Sequence, residues 1–594
     1  MDYALKTAEA GEKRETLGSA WRALKPLLAD ERTNIAVALA CVILSTAAGL
    51  MGPVITARII DTAIKHGDYG LLLRYAGALA AVYLMALWAQ YLQTLRMGTV
   101  GRNVLFKLRN RLFAKLSHLP IAFFAQNRAG DLISRVNSDT DKINQFFSQA
   151  LVQMFGSLFR VMGAGVFLLA LNWRMGLIAL APALAMLIIT RLISPWVKGA
   201  NRKSLDSLGA LSGDVSESLA NFQVIVAFNR VDYFRQTFDT ANQRNYHASV
   251  KAGVSSGVLM PLYTLAGSAG SILVMALGVW LIVHGQLSVG LLVGYLLYVS
   301  SFYDPLRQLA TVWSSLQTMM AAMDRVSEVL KLETNLVELP QAAGETAGHG
   351  TAESGVVLAF EDVSFAYGGG KPVLEKANLT LARGRTYALV GPTGGGKTTT
   401  AMLMARLYDP VQGTVYLEGR DIRTFTAAER AAKIGFILQD PFLLAGTVRD
   451  NIVYGHPDLG DISEDALADR MNAQGLSGFL ARFGEGGLST PIKGAGDGLS
   501  LGQKQLVAFL RAVLRAPDIL ILDEATANID TVTEQMLEAV LARLPKTTTR
   551  VVIAHRLNTI QNADEIFFVG GGALTAAGSM AHAMDMLLGH ERTS

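Results

Sequence analysis

The chain has 594 residues, of which 51% are apolar and 17% charged, with a formal net charge of +4. Ordinary soluble domains carry about 25% charged residues, so the balance points to a membrane protein and excludes intrinsic disorder and collagen-like repeats. A charge of +4 over this length is no electrostatic footprint for nucleic acid, and the single cysteine, Cys41, excludes an internal disulfide.

Residues 1–30 read as a charged cytoplasmic lead. Between 31 and 334, six apolar stretches reach or approach the roughly 20 residues that cross a bilayer. They lie near 34–60, 72–95, 150–171, 175–198, 256–283 and 288–311. Runs such as IALAPALAMLIITRLI and GSAGSILVMALGVWLIV are too long and uniform for buried helices of a soluble protein, and 34–60 sits too far in to be a cleaved signal. With the N-terminus cytoplasmic, the two long inner segments carry seventeen Lys and Arg, against four on the outer side (Arg58, Lys65, Arg74 and Arg174). This is the positive-inside pattern, and an even number of spans returns the C-terminal half to the cytoplasm. The outer connections are short, whereas about 50 residues separate spans two and three, and again four and five. Their helical periodicity predicts that the spans continue into the cytoplasm. Residues 335–355, NLVELPQAAGETAGHGTAESG, lack a sustained apolar face and read as a linker. Beyond it, 356–594 alternates short apolar strands, glycine turns and polar helices.

In that second half, the strand TYALV (386–390) runs into Gly391-Pro392-Thr393-Gly394-Gly395-Gly396-Lys397-Thr398, followed by Thr399 and a helix-compatible stretch. This is G-x-x-x-x-G-K-[ST] between a strand and a helix. Glycines let backbone N–H groups approach phosphates, the helix N-terminus adds positive potential, Lys397 reaches the terminal phosphates and the Thr398 hydroxyl can ligate Mg²⁺. A second apolar strand, ILILDE, ends in Asp523 and Glu524. Two carboxylates at a strand end beside a phosphate loop suit one to the Mg²⁺ sphere and the next to orienting or deprotonating water.

Between these motifs lies Leu499-Ser500-Leu501-Gly502-Gln503, which resembles the signature sequence of the ABC transporter ATPases. Tyr367 in FEDVSFAY is similar to that family's adenine-stacking aromatic, and Gln439 in IGFILQDPFL to the Q-loop glutamine at the Mg²⁺. Asp530 in ATANID is similar to the D-loop aspartate, and His555 in VVIAHRLNTI to the switch histidine on the γ-phosphate. In the membrane half, Phe123-Phe124, Gly130-Asp131-Leu132-Ile133-Ser134-Arg135 and Asp139 resemble the first intracellular loop of the exporter type. ESLANFQVIVAFNR (217–230) resembles its second coupling segment.

The resemblance runs from about residue 20 to 570 and implies a half-transporter: a six-helix all-α transmembrane domain fused to an α/β P-loop ATPase that uses ATP and Mg²⁺. It implies a dimer in the bacterial inner membrane, in which Ser500, Gly502 and Gln503 serve a nucleotide held by the partner. The implied work is export of an amphipathic small molecule, lipid or peptide. A siderophore-type importer and an ATP-gated channel or regulatory receptor are the alternatives, and the presence of Glu524 favours a hydrolysing transporter. Leu501 replaces the usual signature glycine, and Ala527-Asn528-Ile529-Asp530 departs from the common Ser-Ala-Leu-Asp. With Glu524 and His555 both present, this combination resembles the catalytically complete subunit of heterodimeric exporters; a homodimer is the competing reading.

For the solute, intramembrane polar residues mark Gln90, Gln93, Arg160 and Asp304 as candidates for the translocation path, since such groups are costly in lipid and face an interior or a water-filled cavity. Met260, Tyr263 and Tyr298 could bind an amphipathic molecule, or serve as lipid-facing or packing surface.

Overall fold

Six continuous helical segments carry the apolar stretches in the computed structural model: Lys25–Ile64, Tyr69–Ser117, Ala129–Leu171, Trp173–Ala220, Val231–Val283 and Val289–Lys331. The structure describes residues 3, 5, 25–333, 336, 338–339, 355–368, 370–439, 441–456, 459–460, 462–484, 486–494, 498–523, 531–553, 561, 563–578, 581–583 and 585–586. With 40 to 53 residues each, the segments are about 60 to 80 Å long at about 1.5 Å per residue. That is at least twice the roughly 30 Å hydrocarbon core. Each therefore continues well past the bilayer, as the periodicity of the long inner segments predicts.

The described chain forms two compact units: Thr7–Ser117 with Gly130–Lys331, and Leu332–Ser594 with Met1–Lys6 and His118–Ala129. In chain order the helices needed below are α1 (Arg32–Arg58), α2 (Tyr69–Ser117), α3 (Ile121–Gln126), α4 (Ala129–Ser134), α5 (Leu151–Leu171), α6 (Trp173–Ala220), α7 (Leu259–Val283) and α8 (Val289–Lys331).

Within the membrane unit, α8 is the axis of packing. Three of its tyrosines donate their hydroxyl protons to carbonyls of other helices: Tyr298 to Leu50 O of α1 (2.6 Å), Tyr295 to Leu168 O of α5 (3.0 Å) and Tyr303 to Ala179 O of α6 (2.8 Å). Buried in a medium without water, each hydroxyl must find a protein acceptor, so these bonds fix register as well as proximity. Small residues let backbones close up: a Cβ on Gly278 would meet Leu292 at 2.3 Å, and one on Gly290 would meet Ala57 O at 2.2 Å. The start of α8 is capped by Asp61, which accepts from Gly290 N (2.9 Å) and Ser288 Oγ (2.5 Å).

Toward its other end α8 is held by charge. Arg135, only 2% exposed, donates to Glu328 (2.6 Å), to Arg325 O (2.7 Å) and to Asp131 (3.0 Å). Asp139, fully buried, accepts from Lys142 (3.0 Å) and from Arg325. Both belong to the loop motif that carried the family resemblance, and their work here is to lock that loop to α8.

The other unit is an α/β domain with a six-stranded sheet in the order β12-β11-β3-β10-β9-β6 and a four-stranded antiparallel sheet β2-β1-β4-β5. The strands are β1 (Val356–Ala366), β2 (Pro372–Ala382), β3 (Thr386–Val390), β4 (Gln412–Leu417), β5 (Arg420–Asp421), β6 (Ile434–Ile437), β7 (Gly446–Thr447), β8 (Pro491–Ile492), β9 (Ile519–Asp523), β10 (Thr549–Ile553), β11 (Glu565–Gly570) and β12 (Ala573–Ala576). In the large sheet all strands but the edge strand β12 pair in parallel. Buried on both faces, β3 and β9 read as unbroken apolar runs rather than alternations. A ring of four charges ties the two sheets: Arg383 after β2 and Lys433 at the end of α10 (Ala427–Lys433) both bond to Glu418 after β4 and to Asp518 before β9. Hydrogen bonding to Asp518 first, then Glu418, raises the Arg383 guanidinium above its usual range, and bonding to Glu418 does the same for the Lys433 ammonium.

Truncating Arg135 to Ala leaves Glu328 and Asp131 facing an uncompensated site and is expected to cost about 3 kcal/mol, read as a lower thermal unfolding midpoint of the purified protein. Arg135→Lys, which keeps the charge but not the forked donors, recovers part of it. An unchanged midpoint in Arg135→Ala would mean that its bonds to Asp131 and Glu328 add nothing to stability.

Candidate functional site

Strands β3 and β9 lie on either side of β10, with Leu389 aligned to Ile553 and Ile553 to Asp523. Their carboxyl ends are thus two strand spacings apart, about 10 Å, at the edge where open α/β sheets hold ligands. The loop after β3 is the glycine-rich one and β9 ends on Asp523, so topology brings together two motifs 125 residues apart: Thr398 Oγ1 donates to Asp523 Oδ1 at 3.4 Å.

The loop's shape follows from its glycines. Gly391, Gly394 and Gly396 have φ of +154°, +79° and +106°, a region that side chains rarely adopt. Space adds a second constraint, since a Cβ on Gly391 would sit 2.0 Å from Val569 O of β11. The turn closes with Gly395 N donating to Pro392 O at 3.0 Å, and the chain then enters α9 (Lys397–Met404). Lys397, 6% exposed, folds its ammonium back onto the loop, donating to Gly391 O and Pro392 O at 2.9 Å each. Backbone N–H groups around a glycine turn, a helix N-terminus, a lysine ammonium and a hydroxyl–carboxylate pair make a set that fits a nucleotide's phosphates with a hard divalent cation. Pro392 and Thr393 complete the loop. Thr399 faces another way: its hydroxyl shares a 2.9 Å hydrogen bond with the Tyr367 hydroxyl.

Tyr367 follows β1 and is 42% exposed, its ring packed edge-on against Phe365 (4.8 Å between centroids) and Tyr408 (5.4 Å). This aromatic corner borders a cavity of about 480 Å³ that also meets Gln126 of α3 and Tyr3. Tyr3 is fixed there by bonds from its N–H to Gln126 (2.7 Å) and from Asn127 to its carbonyl (2.9 Å).

The signature residues open helix α12, the fourteen-residue Leu501–Leu514, where α11 is Val448–Val453. Ser500 and Gln503 form a capping box, with Gln503 N donating to Ser500 Oγ (3.2 Å) and Ser500 N to Gln503 Oε1 (2.8 Å). Gly502 is half-buried and Leu501 is 37% exposed, so the residue that replaces the usual glycine is an outward side chain on the first helical turn. Gln439 lies two residues beyond β6 and is exposed. Glu524, Asp530 and His555 lie outside the described residues.

Two residues without any motif join these parts. Arg511 of α12 donates to Asn451 O (2.7 Å) and Asn451 Oδ1 (3.3 Å), reaches Phe442 O (3.4 Å), and lies over the Tyr454 ring at 5.5 Å. Burial pushes the Arg511 guanidinium below its usual range, and that of Arg515 one turn on as well. The signature helix is thereby pinned to the segment that follows Gln439. The signal in the sequence was Arg511 standing within the apolar run LVAFLRAVL.

Of the four polar residues proposed for the translocation path, Asp304 is exposed and lines a cavity in the membrane unit together with Arg307, Gln90 and Arg160 are exposed as well, and Gln93 is half-buried with an unbonded Oε1. The structure does not gather the four. Tyr298 is a packing residue, stacked on Phe167 at 5.1 Å, whereas Tyr263 lines the Asp304 cavity.

A P-loop ATPase domain and six membrane-spanning helices in one chain define a multi-pass membrane ATPase. The ABC transporter transmembrane region matches residues 35–306 and the ABC transporter ATPase domain residues 374–527. Over 97% of its length, the chain is 33% identical to the uncharacterized ABC transporter ATP-binding protein YfiC of Bacillus subtilis, covering 93% of that protein. It is 30% identical, over 86% of its length, to the fatty acid ABC transporter ATP-binding/permease protein of Mycobacterium tuberculosis, covering 80% of it. A multidrug resistance ABC transporter ATP-binding and permease protein of Lactococcus lactis is 28% identical over 90% of both chains. The chain belongs to the ABC transporter family, as a half-transporter of the exporter type that binds ATP and couples its hydrolysis to transport. Half-transporters of this kind work as dimers.

Gly391→Ala forces both the wrong backbone region and a clash, so it is expected to destabilise the ATPase domain by about 2 to 4 kcal/mol. The measurement is its unfolding midpoint, together with loss of fluorescent-nucleotide binding. Gly394→Ala, where a Cβ meets nothing within 4 Å, carries only the backbone strain and is expected to be milder.

Proposed function

We propose that this chain is one half of an exporter in the inner membrane of a bacterium, with both termini cytoplasmic, moving an amphipathic small molecule, lipid or peptide outward. The observation that carries the reading is the apposition of Thr398, at the start of the helix after the phosphate loop, with Asp523, at the end of β9, in a chain with six spans. Bound Mg·ATP supplies a phosphoanhydride bond whose cleavage resets the transporter.

The chain's own residues divide the work. Lys397 leaves its carbonyl contacts for the β- and γ-phosphates, and Thr398, Asp523 and Gln439 hold the Mg²⁺. Tyr367 stacks on the adenine, Glu524 orients or deprotonates the attacking water and His555 contacts the γ-phosphate. Ser500, Gly502 and Gln503, at a helix N-terminus that already presents N–H groups, serve the nucleotide of the partner chain, with Asp530 at the seam. The chain contributes one signature and one phosphate loop, so two composite sites need two chains. A preference of nucleotide for the closed pair is what moves the spans, since equal affinity for both states would shift nothing.

Leu501 and the Ala-Asn-Ile-Asp sequence favour a heterodimer in which this chain supplies the complete carboxylate and histidine and an altered signature. The relatives' names, fatty acid and multidrug transport among them, support an amphipathic cargo.

Glu524→Gln tests the catalytic assignment: in lipid nanodiscs it is expected to retain ATP and lose hydrolysis by 100-fold or more, on the order of 3 kcal/mol at the barrier, and full activity would refute it. Leu501→Gly is expected to raise ATPase turnover several-fold by clearing the partner's γ-phosphate site. An unchanged rate would show that this side chain stays clear of it.

A further inference from the structure

Movement of the ATPase unit can reach the spans along the chain, at the points where the chain passes from one unit to the other. Residues His118–Ala129 cluster with the ATPase unit, whereas Thr7–Ser117 and Gly130–Lys331 form the membrane unit. Helix α3 is therefore a short piece of chain held by the ATPase unit between two helices of the membrane unit. Another passage lies just after α8, between Lys331 and Leu332. Tyr3 bonds beside both.

At the end of α3, Asn127 engages its whole side-chain amide. Its Nδ2 donates to Tyr3 O (2.9 Å) and to Phe123 O (2.7 Å), and its Oδ1 accepts from Leu5 N (2.9 Å). An asparagine amide offers two N–H donors and one carbonyl oxygen, and all three groups are in use. Gln126 Oε1 accepts from Tyr3 N (2.7 Å). Three of these four bonds go to main-chain groups of residues 3 and 5, which is how a peptide is held through its backbone while a pocket for one side chain supplies the selectivity. The selected side chain is an aromatic ring. Tyr3 is only 2% exposed, and its hydroxyl donates to Glu333 O (3.1 Å), just past α8. Tyr3 and Gln126 also line the cavity of about 480 Å³ bordered by Tyr367, so the docked residue stands beside the corner to which the proposed function assigns the adenine.

We propose that the face of α3 formed by Gln126 and Asn127 is a docking site for Tyr3 and Leu5 of the same chain, and that these residues act there as a clasp. The clasp fastens α3 to the chain that follows α8, so that both passages move together when nucleotide shifts the ATPase unit. With the clasp open, α3 yields locally and less of that movement arrives at the spans. The inference rests on the export reading and deepens it by naming a part that transmits the work.

Hydrogen exchange read by mass spectrometry on the assembled transporter in lipid nanodiscs, with and without Mg·ATP and vanadate, tests both statements on one sample. The Leu5 amide is expected to exchange at least about tenfold more slowly in the native chain than in Tyr3→Ala. Nucleotide is expected to protect the phosphate loop equally in the two, while its effect on the outer connections, 65–68 and 284–288, falls about threefold or more in Tyr3→Ala. Asn127→Asp, near in shape but without the two donors, behaves like Tyr3→Ala; Tyr3→Phe keeps the ring and the backbone bonds and stays close to native. The proposal is overturned if the Leu5 amide exchanges in the native chain as fast as in Tyr3→Ala, or if the outer connections respond fully in Tyr3→Ala. Lost protection of the phosphate loop in that variant would overturn it too, since the substitution would then act on nucleotide binding rather than on transmission. A native chain whose outer connections ignore nucleotide would remove the export reading, and with it the clasp's role in transmission, while the docking site is decided by the Leu5 amide.

Discussion

A lipid bilayer offers backbone amides and carbonyls no water, and this one constraint organises the membrane unit. Only helices satisfy every backbone group within the segment that crosses, so six apolar stretches become six continuous helices. Apolar burial cannot then drive the helices together, because lipid tails are as apolar as their side chains. What remains is close packing at small residues and hydrogen bonding across helices. Gly278 against Leu292 and Gly290 against Ala57 supply the first, and Tyr295, Tyr298 and Tyr303 the second. All three tyrosines stand on one helix, so α8 gathers α1, α5 and α6, while its far end is gripped by Arg135 and Asp139.

The ATPase half solves the opposite problem. Water is plentiful there, and the parallel strands must be hidden from it on both faces, which is why TYALV and ILILD carry no alternation. The sheet then places the loop after β3 and the end of β9 on one edge, separated only by β10. Three parts of the site follow from that placement: a glycine turn closed by Gly395 N on Pro392 O, a lysine held on its own loop's carbonyls, and a hydroxyl facing a carboxylate. Arg511 extends the arrangement by tying the signature helix to the segment after Gln439, so two parts of the nucleotide machinery share one rigid support.

The two halves also treat charge differently. In the ATPase half, Arg383, Lys433, Glu418 and Asp518 compensate one another in a closed ring between the sheets, a structural use. Arg135, with Asp131 and Glu328, is likewise fully engaged. Among the described residues Asp304 has no such bond, and it lines a cavity together with Arg307.

Composition, hydropathy runs and basic-residue asymmetry were enough to read six spans and a separate ATPase domain, because membrane insertion and helix formation depend on local sequence. The phosphate loop was equally legible, since its φ values and its strand-to-helix setting are encoded within a dozen residues. The arrangement of Asp523 against Thr398 was legible in part: the motif pair implied it, but only the order β3-β10-β9 brings residues 125 positions apart to hydrogen-bonding distance. Arg135 and Asp139 were recognised as a pattern, and tertiary structure alone shows their partners on α8. Arg511 and Asn451 had no signature at all, because their meeting depends on how two helices pack. The four intramembrane polar residues looked alike in sequence, each one costly in lipid. Only the tertiary structure shows that Asp304 lines a cavity with Thr264, Ser271, Ser300 and Arg307 while Gln90, Gln93 and Arg160 do not, since which face of a membrane helix meets a neighbour is decided by contacts that the one-dimensional pattern does not contain.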